Sequence, residues 1–429
     1  MEDNDGALAS SFEATVFLGS FRDLPDHRQA GKVTYPLDEI LLLALLAVLA
    51  GAEGFTDIAR FGEKKLSLLR RFRPFAWGTP SHDHLGDIFA TLDAAAFRRC
   101  FVAWVAGLTK TPAELIAIDG KTSRRSGKKG AKEAVHIVSA FAARQRLVLG
   151  QVKVADKSNE IVAIPKLLDM LAIEGAIVTI DAMGCQRDIA QKVLDKKADD
   201  VLALKGNQGT LHDDIELFVT EQQARGFADT AVSKDTTVDG DHGRIETRTT
   251  TVISDVGWLQ QRHKWPGLKS VVIVESRRET NGKIEQERRY YIASTVMLAS
   301  LMGPIVRSHW AIENSLHWVM DMVFRDDECR VRTDNAPANF STIKHMALNL
   351  LRQPQGKQSL RGRRKAASWD DDFLASLSVR SGSLPAEGRR GIFAPGKEPT
   401  LPGAKSTAGP TRQTFRTDTY RSDNTGSPI

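Results

Sequence analysis

At 429 residues, with 41% hydrophobic content, the chain can fill the cores of two or three domains. Its 59 Lys and Arg against 53 Asp and Glu leave a formal charge of only +6, but the cations are clustered. They gather at Lys64-Lys65 with Arg70-Arg71-Arg73, in 121–132, at Arg277-Arg278 with Arg288-Arg289, and in 361–365. That spread suits a long polyanion crossing more than one domain. Three isolated cysteines, Cys100, Cys185 and Cys329, exclude a disulfide framework and fit a reducing cytoplasm. The acidic start Met1-Glu2-Asp3 is unlike a signal peptide, and the longest apolar stretch, 40–52, is too short to span a bilayer.

Residues 1–110 read as an all-α N-terminal domain. Within it 12–22 is amphipathic, 36–52 is a buried helix with Pro36 in its first turn, and 56–72 is a helix capped by Thr56. Ser81-His82-Asp83 opens a further helix running to about Leu92. The basic faces of these helices suit DNA binding, although charge alone fits a solvated face about as well.

From about 111 the texture changes to alternating strands and helices. Strands are expected at 115–119, 136–141 and 147–154, the last two joined by the polar turn Arg144-Gln145-Arg146. A helix at 160–171, a strand at 177–181, a helix at 187–197 and a strand at 200–204 follow. A three-strand meander, then helix, strand, helix, strand, is the α/β order of an RNase-H-like mixed sheet, here spanning 111–352. In that fold the first and fourth strands are neighbours. Residues 235–298 read as a β-rich insertion with strands at 245–253, 269–275 and 288–294 and a hairpin turn at Asn281-Gly282. The basic C-terminal extension, 353–429, loses apolar periodicity after about 375 and reads as largely disordered beyond that point.

Three remote acids stand out. Asp119 ends the apolar run 115–118, Asp181 ends 177–180, and Glu313 sits in the helical segment 309–317. Two Asp at strand ends and a helical Glu can converge on two divalent cations that clamp the attacking and leaving oxygens of a phosphodiester. Lys121, Lys205, Asn207, Arg244 and Arg248 are candidates for DNA contacts, as are His309 and His317 flanking Glu313. Each has a blander reading as a turn, a cap or a solvated charge. A rival reading is a zinc hydrolase using His309, Glu313 and His317 at successive i, i+4 positions.

Several motifs in order resemble the bacterial insertion-sequence transposases of the H-repeat-associated type, within the DDE class. They are Phe21-Arg22-Asp23-Leu24-Pro25-Asp26-His27-Arg28, Ala50-Gly51-Ala52-Glu53-Gly54, Thr79-Pro80-Ser81-His82-Asp83, Ile118-Asp119-Gly120-Lys121, Thr179-Ile180-Asp181-Ala182-Met183, Leu204-Lys205-Gly206-Asn207-Gln208, His242-Gly243-Arg244-Ile245-Glu246-Thr247-Arg248 and His309-Trp310-Ala311-Ile312-Glu313-Asn314. The resemblance covers about 15–375. It departs at His84-Leu85, where the family usually has a small polar residue and an aromatic, and in the tail. It implies an RNase-H-like core, Asp119, Asp181 and Glu313 as the acidic triad, and two Mg2+ ions replaceable by Mn2+. It also implies cleavage of double-stranded DNA at element ends with strand transfer, and a homodimer acting on paired ends. A catalytically silent or domesticated DNA-binding relative is the alternative.

Overall fold

The computed structural model describes residues 19–379 except 110–111, 128–132, 156–157, 242 and 354–355. Most of the expected helix 12–22, and the tail beyond 379, lie outside the described residues. No helix among the described residues is long and apolar enough to cross a membrane.

The N-terminal part is helical: α1 (Leu37–Leu49), α2 (Phe55–Lys64), α3 (Leu66–Leu69), α4 (His82–Thr91) and α5 (Ala94–Leu108). Helix α1 is apolar nearly all round and buried from Glu39 to Leu49, as expected of a helix at the centre of a core. Its one buried carboxylate, Glu39, accepts the Phe75 backbone N–H at 2.7 Å. The single helix expected over 56–72 is instead two, because Lys65 leaves helical geometry (φ −116°, ψ 24°). Gly54, not Thr56, is the N-cap of α2. Ser81 caps α4 through its hydroxyl, which accepts the His84 N–H at 3.3 Å.

A nine-stranded mixed sheet follows, in the order β3-β2-β1-β4-β5-β9-β8-β7-β6. Strands β1 (Leu115–Thr122), β2 (His136–Ala142) and β3 (Leu147–Lys153) form the meander. Strands β4 (Ile177–Ile180) and β5 (Asp199–Leu204) run parallel to β1, connected by α6 (Glu160–Met170) and α7 (Arg187–Asp195). This is a mixed sheet with flanking helices, consistent with an RNase-H-like fold. Strand β1 is longer than expected: it continues through Asp119 to Thr122, paired with β2.

After α8 (Gly209–Ala224) come β6 (Val232–Asp241), β7 (Arg244–Ile253), α9 (Gly257–His263), β8 (Ser270–Thr280) and β9 (Lys283–Ala293). The β-rich insertion does not stand apart. Strand β9 pairs antiparallel with β5, so the insertion lengthens the same sheet. The β8–β9 turn is at Asn281-Gly282, both at positive φ (50° and 76°), the conformation a tight hairpin turn demands. Strand β6, at the sheet edge, was not expected.

The chain then returns across the sheet as α10 (Ala299–Ser308), a π-helical turn (Ile312–His317) and α11 (Trp318–Met322). Helices α12 (Ala336–Arg352), α13 (Leu360–Trp369) and α14 (Asp371–Val379) complete the described chain. Helix α12 is buried from Ala336 to Leu351 in spite of its polar residues, most of which find partners. Asn349 accepts from the Val148 N–H and donates to the Val148 carbonyl, both at 2.9 Å, and so serves as a backbone partner for β3. Asn339 donates to the carbonyls of Phe89 and Leu92. Residues of α1–α5 and of 312–377 share one apolar cluster. A second cluster lies between the other sheet face and α6–α8.

Candidate active site

The pairing of β1 with β4 places Ile118 opposite Ile180 as the last matched residues. The next residues are Asp119 and Asp181, so the two acids leave adjacent parallel strands at the same level. Alternation sets their direction. Ile116, Ile118, Val178 and Ile180 fill the cluster under α6–α8, which assigns Asp119 and Asp181 to the opposite face. That face is crossed by the segment carrying Glu313: His309 Nδ1 lies 3.0 Å from Thr179 Oγ1, and His317 Nδ1 lies 3.4 Å from Asp119 Oδ2.

Glu313 is exposed on the π-helical turn, between buried Ile312 and Leu316. Such a turn inserts an extra residue into the helical repeat, so 309–317 is not the uniform helix expected. His309 and His317 are half-buried, and Glu313 between them is exposed.

Asp119 is pushed up to about 7, first by burial and then by the charges of Asp181, Glu160 and Glu313, against a favourable backbone hydrogen bond at Gly120. Burial does the opposite to the imidazoles. His317 falls to about 3, helped by Lys121 and the neighbouring histidines, and His309 is lowered as well. Both rings are neutral at pH 7 and add no positive charge beside the acids; His309 hydrogen-bonds Thr179, whereas the buried Nε2 of His317 has no partner among the described residues.

Two groups at this site escaped the sequence reading. Glu160, at the start of α6, is buried, and its Oε1 lies 2.7 Å from His136 Nε2. His136 Nδ1 lies 2.7 Å from Thr122 Oγ1. A Cβ at Gly120 would sit 2.2 Å from Glu160 Oε1 and 2.5 Å from His136 Nε2, so only glycine admits this pair beside Asp119. The glycine after the first Asp was the one signal available.

Beside the acids is a cavity of about 600 Å³ lined by Asp181, Glu313 and His309 and by Lys205, Arg288, Arg289, Tyr290 and Tyr291, among others. Asp119 is not in its wall. Lys205 is exposed at the rim. Asn207 is exposed and donates to the Ala182 carbonyl at 2.6 Å, which anchors the loop after Asp181. Arg244 and Arg248 lie away from this cavity on β7, where both pair with buried Glu246 at 3.2 and 2.7 Å. The ammonium of Lys121 faces Asp321 at 2.7 Å and Asp327 at 3.4 Å.

The expectation of two Mg2+ ions, with Mn2+ as substitute, is not met. Among the described residues no group of three or more His, Cys, Asp or Glu is placed to hold a metal ion. The carboxylates are engaged locally: Asp181 Oδ1 accepts the N–H groups of Met183 and Gly184, at 3.1 and 3.2 Å, and Asp119 Oδ2 faces His317. Glu313 points from a different turn. The same finding removes the zinc reading of His309, Glu313 and His317.

The family model "Transposase DDE domain" matches residues 110–350, and "DDE_Tnp_1-associated" matches 18–105. The chain belongs to the H-repeat-associated DDE transposase family of insertion sequences. Its relatives include the "H repeat-associated putative transposase YhhI" of Escherichia coli strain K12. That relative is 39% identical over 370 residues, covering 84% of this chain and 96% of the relative. YncI of E. coli O157:H7 is 41% identical over 367 residues, 83% of this chain and 93% of the relative. An uncharacterized protein encoded in the dhlA 3′ region of Xanthobacter autotrophicus is 43% identical over 277 residues, 64% of this chain and 92% of the relative. These matches support a transposase-like function.

Proposed function

We propose that the chain is an insertion-sequence DNA transposase. It cuts phosphodiester bonds at the ends of its own element and joins the freed 3′ ends to target DNA, from an RNase-H-like core over 111–352. The observation that carries this reading is the β1–β4 register: in a chain of the DDE family, Asp119 and Asp181 follow the last matched pair, Ile118 and Ile180. They lie on the sheet face crossed by the segment of Glu313, whose charge reaches Asp119. These three are assigned as the catalytic carboxylates. With a pKa of about 7, Asp119 can hold or release a proton near neutral pH. Lys205, Arg288 and Arg289 in the cavity wall are assigned to phosphates of the bound strand. Arg244 and Arg248 are assigned to flanking duplex, and His309 and His317 act as neutral hydrogen-bonding groups beside the acids. The helical domain 1–110 is assigned to the terminal inverted repeats, and the working unit to a homodimer on paired ends.

The test is transposition of a marked element carrying its native ends. Asp119→Asn, Asp181→Asn and Glu313→Gln should each lower its frequency by at least about 10³-fold, the scale for losing an electrostatic group of the transition state. Binding of an end duplex in a gel shift should stay within about twofold of wild type, since phosphate contacts dominate affinity. Wild-type transposition by Asp119→Asn would remove that residue from the site. A wild-type chain that binds ends but never moves the element would leave the silent DNA-binding relative as the reading.

A further inference from the structure

We propose that Lys121 is a positioning residue: its ion pairs to Asp321 and Asp327 tie the strand of Asp119 to the helical segment of Glu313. The inference rests on the assignment of those two acids to catalysis. Asp119 and Lys121 are two apart on β1 and so project to the same face. His317 and Asp321 are four apart, one helical turn. The contacts match one to one, His317 with Asp119 at 3.4 Å and Asp321 with Lys121 at 2.7 Å. The spacings match too: two strand residues advance roughly 6.6 Å and four helical residues roughly 6 Å. Two rungs of nearly equal pitch fix both the axial position and the rotation of the helix against the strand, which one contact cannot do.

The ladder continues beyond the helix. Asp326 is buried; its Oδ2 accepts from Ser123 Oγ at 2.5 Å and its Oδ1 accepts from Lys344 at 2.8 Å. Asp327 Oδ1 accepts the Arg124 N–H at 3.3 Å. Residues 121, 123 and 124 are thus read in order by 321, 326 and 327. Lys344 is itself 1% exposed, so the far end of the ladder is set in the core. With two carboxylates on its ammonium and only 15% of its side chain exposed, Lys121 is poorly placed to offer a charge to DNA.

A charge swap in the full chain separates positioning from DNA contact. Lys121→Asp and Asp321→Lys should each lower transposition about 10²-fold, the cost of a misplacement near 1 Å. Combined, they should return to within about tenfold of wild type. Lys121→Met should leave the salt dependence of end-duplex binding unchanged, whereas loss of a phosphate contact lowers that slope by about one. A double variant no better than the worse single, or a reduced slope for Lys121→Met, overturns the proposal. Melting temperatures guard against simple misfolding: the shifts of Lys121→Met and Asp321→Asn should not add in the double variant, and additive shifts also overturn the tie. If wild type itself does not transpose, the functional reading fails, while the melting cycle still decides whether the tie exists.

Discussion

Arg363 and Arg364, in the basic run 361–365, are buried and donate to backbone carbonyls: Arg363 to Leu351 and Gly356, Arg364 to Val48, Ala52 and Val323. Arg244, Arg248 and Arg278, on the β7–β8 arm, close instead on one buried carboxylate, Glu246, and keep much of their surface in solvent. In sequence the two sets look alike. In the fold the first is a clasp that fastens α13 to the C-terminal end of α1, with Arg364 also stacked on Phe324 at 4.5 Å. The second gathers three cations on one buried acid, with Asp239 and Glu285 also near Arg248 and Arg278, and its guanidiniums stay at the surface. Lys65 and Arg71 instead pair near the surface with Asp371 and Asp372 of α14, at 2.7 and 2.8 Å. A run of cations therefore marks a nucleic-acid surface only where its helix or strand leaves it facing water.

Four substitutions sharpen or break this contrast. The largest effect is expected for Arg364→Met, which withdraws the guanidinium from the carbonyls of Val48, Ala52 and Val323. It should destabilise the protein by about 3–5 kcal/mol in urea unfolding, as breaking a buried polar contact does; a loss near zero would return 361–365 to the surface. Glu246→Gln removes the buried acid shared by Arg244, Arg248 and Arg278 and should cost about 2–3 kcal/mol, mostly by loosening the ends of β7 and β8, seen as faster amide exchange there. Asp119 is the counter-case, a carboxylate buried among carboxylates. Its folded pKa of about 7 lies above the usual carboxylate value, so the folded state keeps a proton that the unfolded chain releases. That contribution to stability is present below about pH 4 and is lost as pH rises toward 7. Asp119→Asn should therefore stabilise the fold at pH 8 by about 1–2 kcal/mol and do nothing at pH 4; an equal effect at both would refute the shift. The smallest stability change belongs to Arg244→Ala, within about 0.5 kcal/mol. Its end-duplex binding should show a salt slope lower by about one.

Legibility followed periodicity. The strands that lead to Asp119 and Asp181 announced themselves as short apolar runs ending in an acid, and their adjacency followed from element order. Strand β6 did not, because at the sheet edge Lys234, Asp235, Thr236 and Thr237 interrupt any apolar alternation. Helix α12 was equally hidden: Asn339, Ser341, Thr342, Lys344, His345 and Asn349 make it read as exposed, yet it is the most enclosed helix of the C-terminal part. Asn339 and Asn349 are matched by Phe89 and Val148, remote in the chain, and Lys344 by Asp326, 18 residues before it. Glu160 and His136 were missed for the same reason: nothing adjacent to either hints that Gly120 makes room for both.

What the amino-acid order by itself determined is the family, most of the succession of helices and strands, and the three acids at the ends or turns of their elements. These are local properties, set by side-chain period and by residues next to one another. Which charges remain available was decided only by tertiary structure. Lys121 is held by Asp321 and Asp327, Asn207 by a carbonyl, Arg364 by the end of α1, and the acids are turned so that they share no cation. Partners that are not neighbours in the chain settle each case, because the free energy of a buried polar group depends on what surrounds it and not on what precedes it.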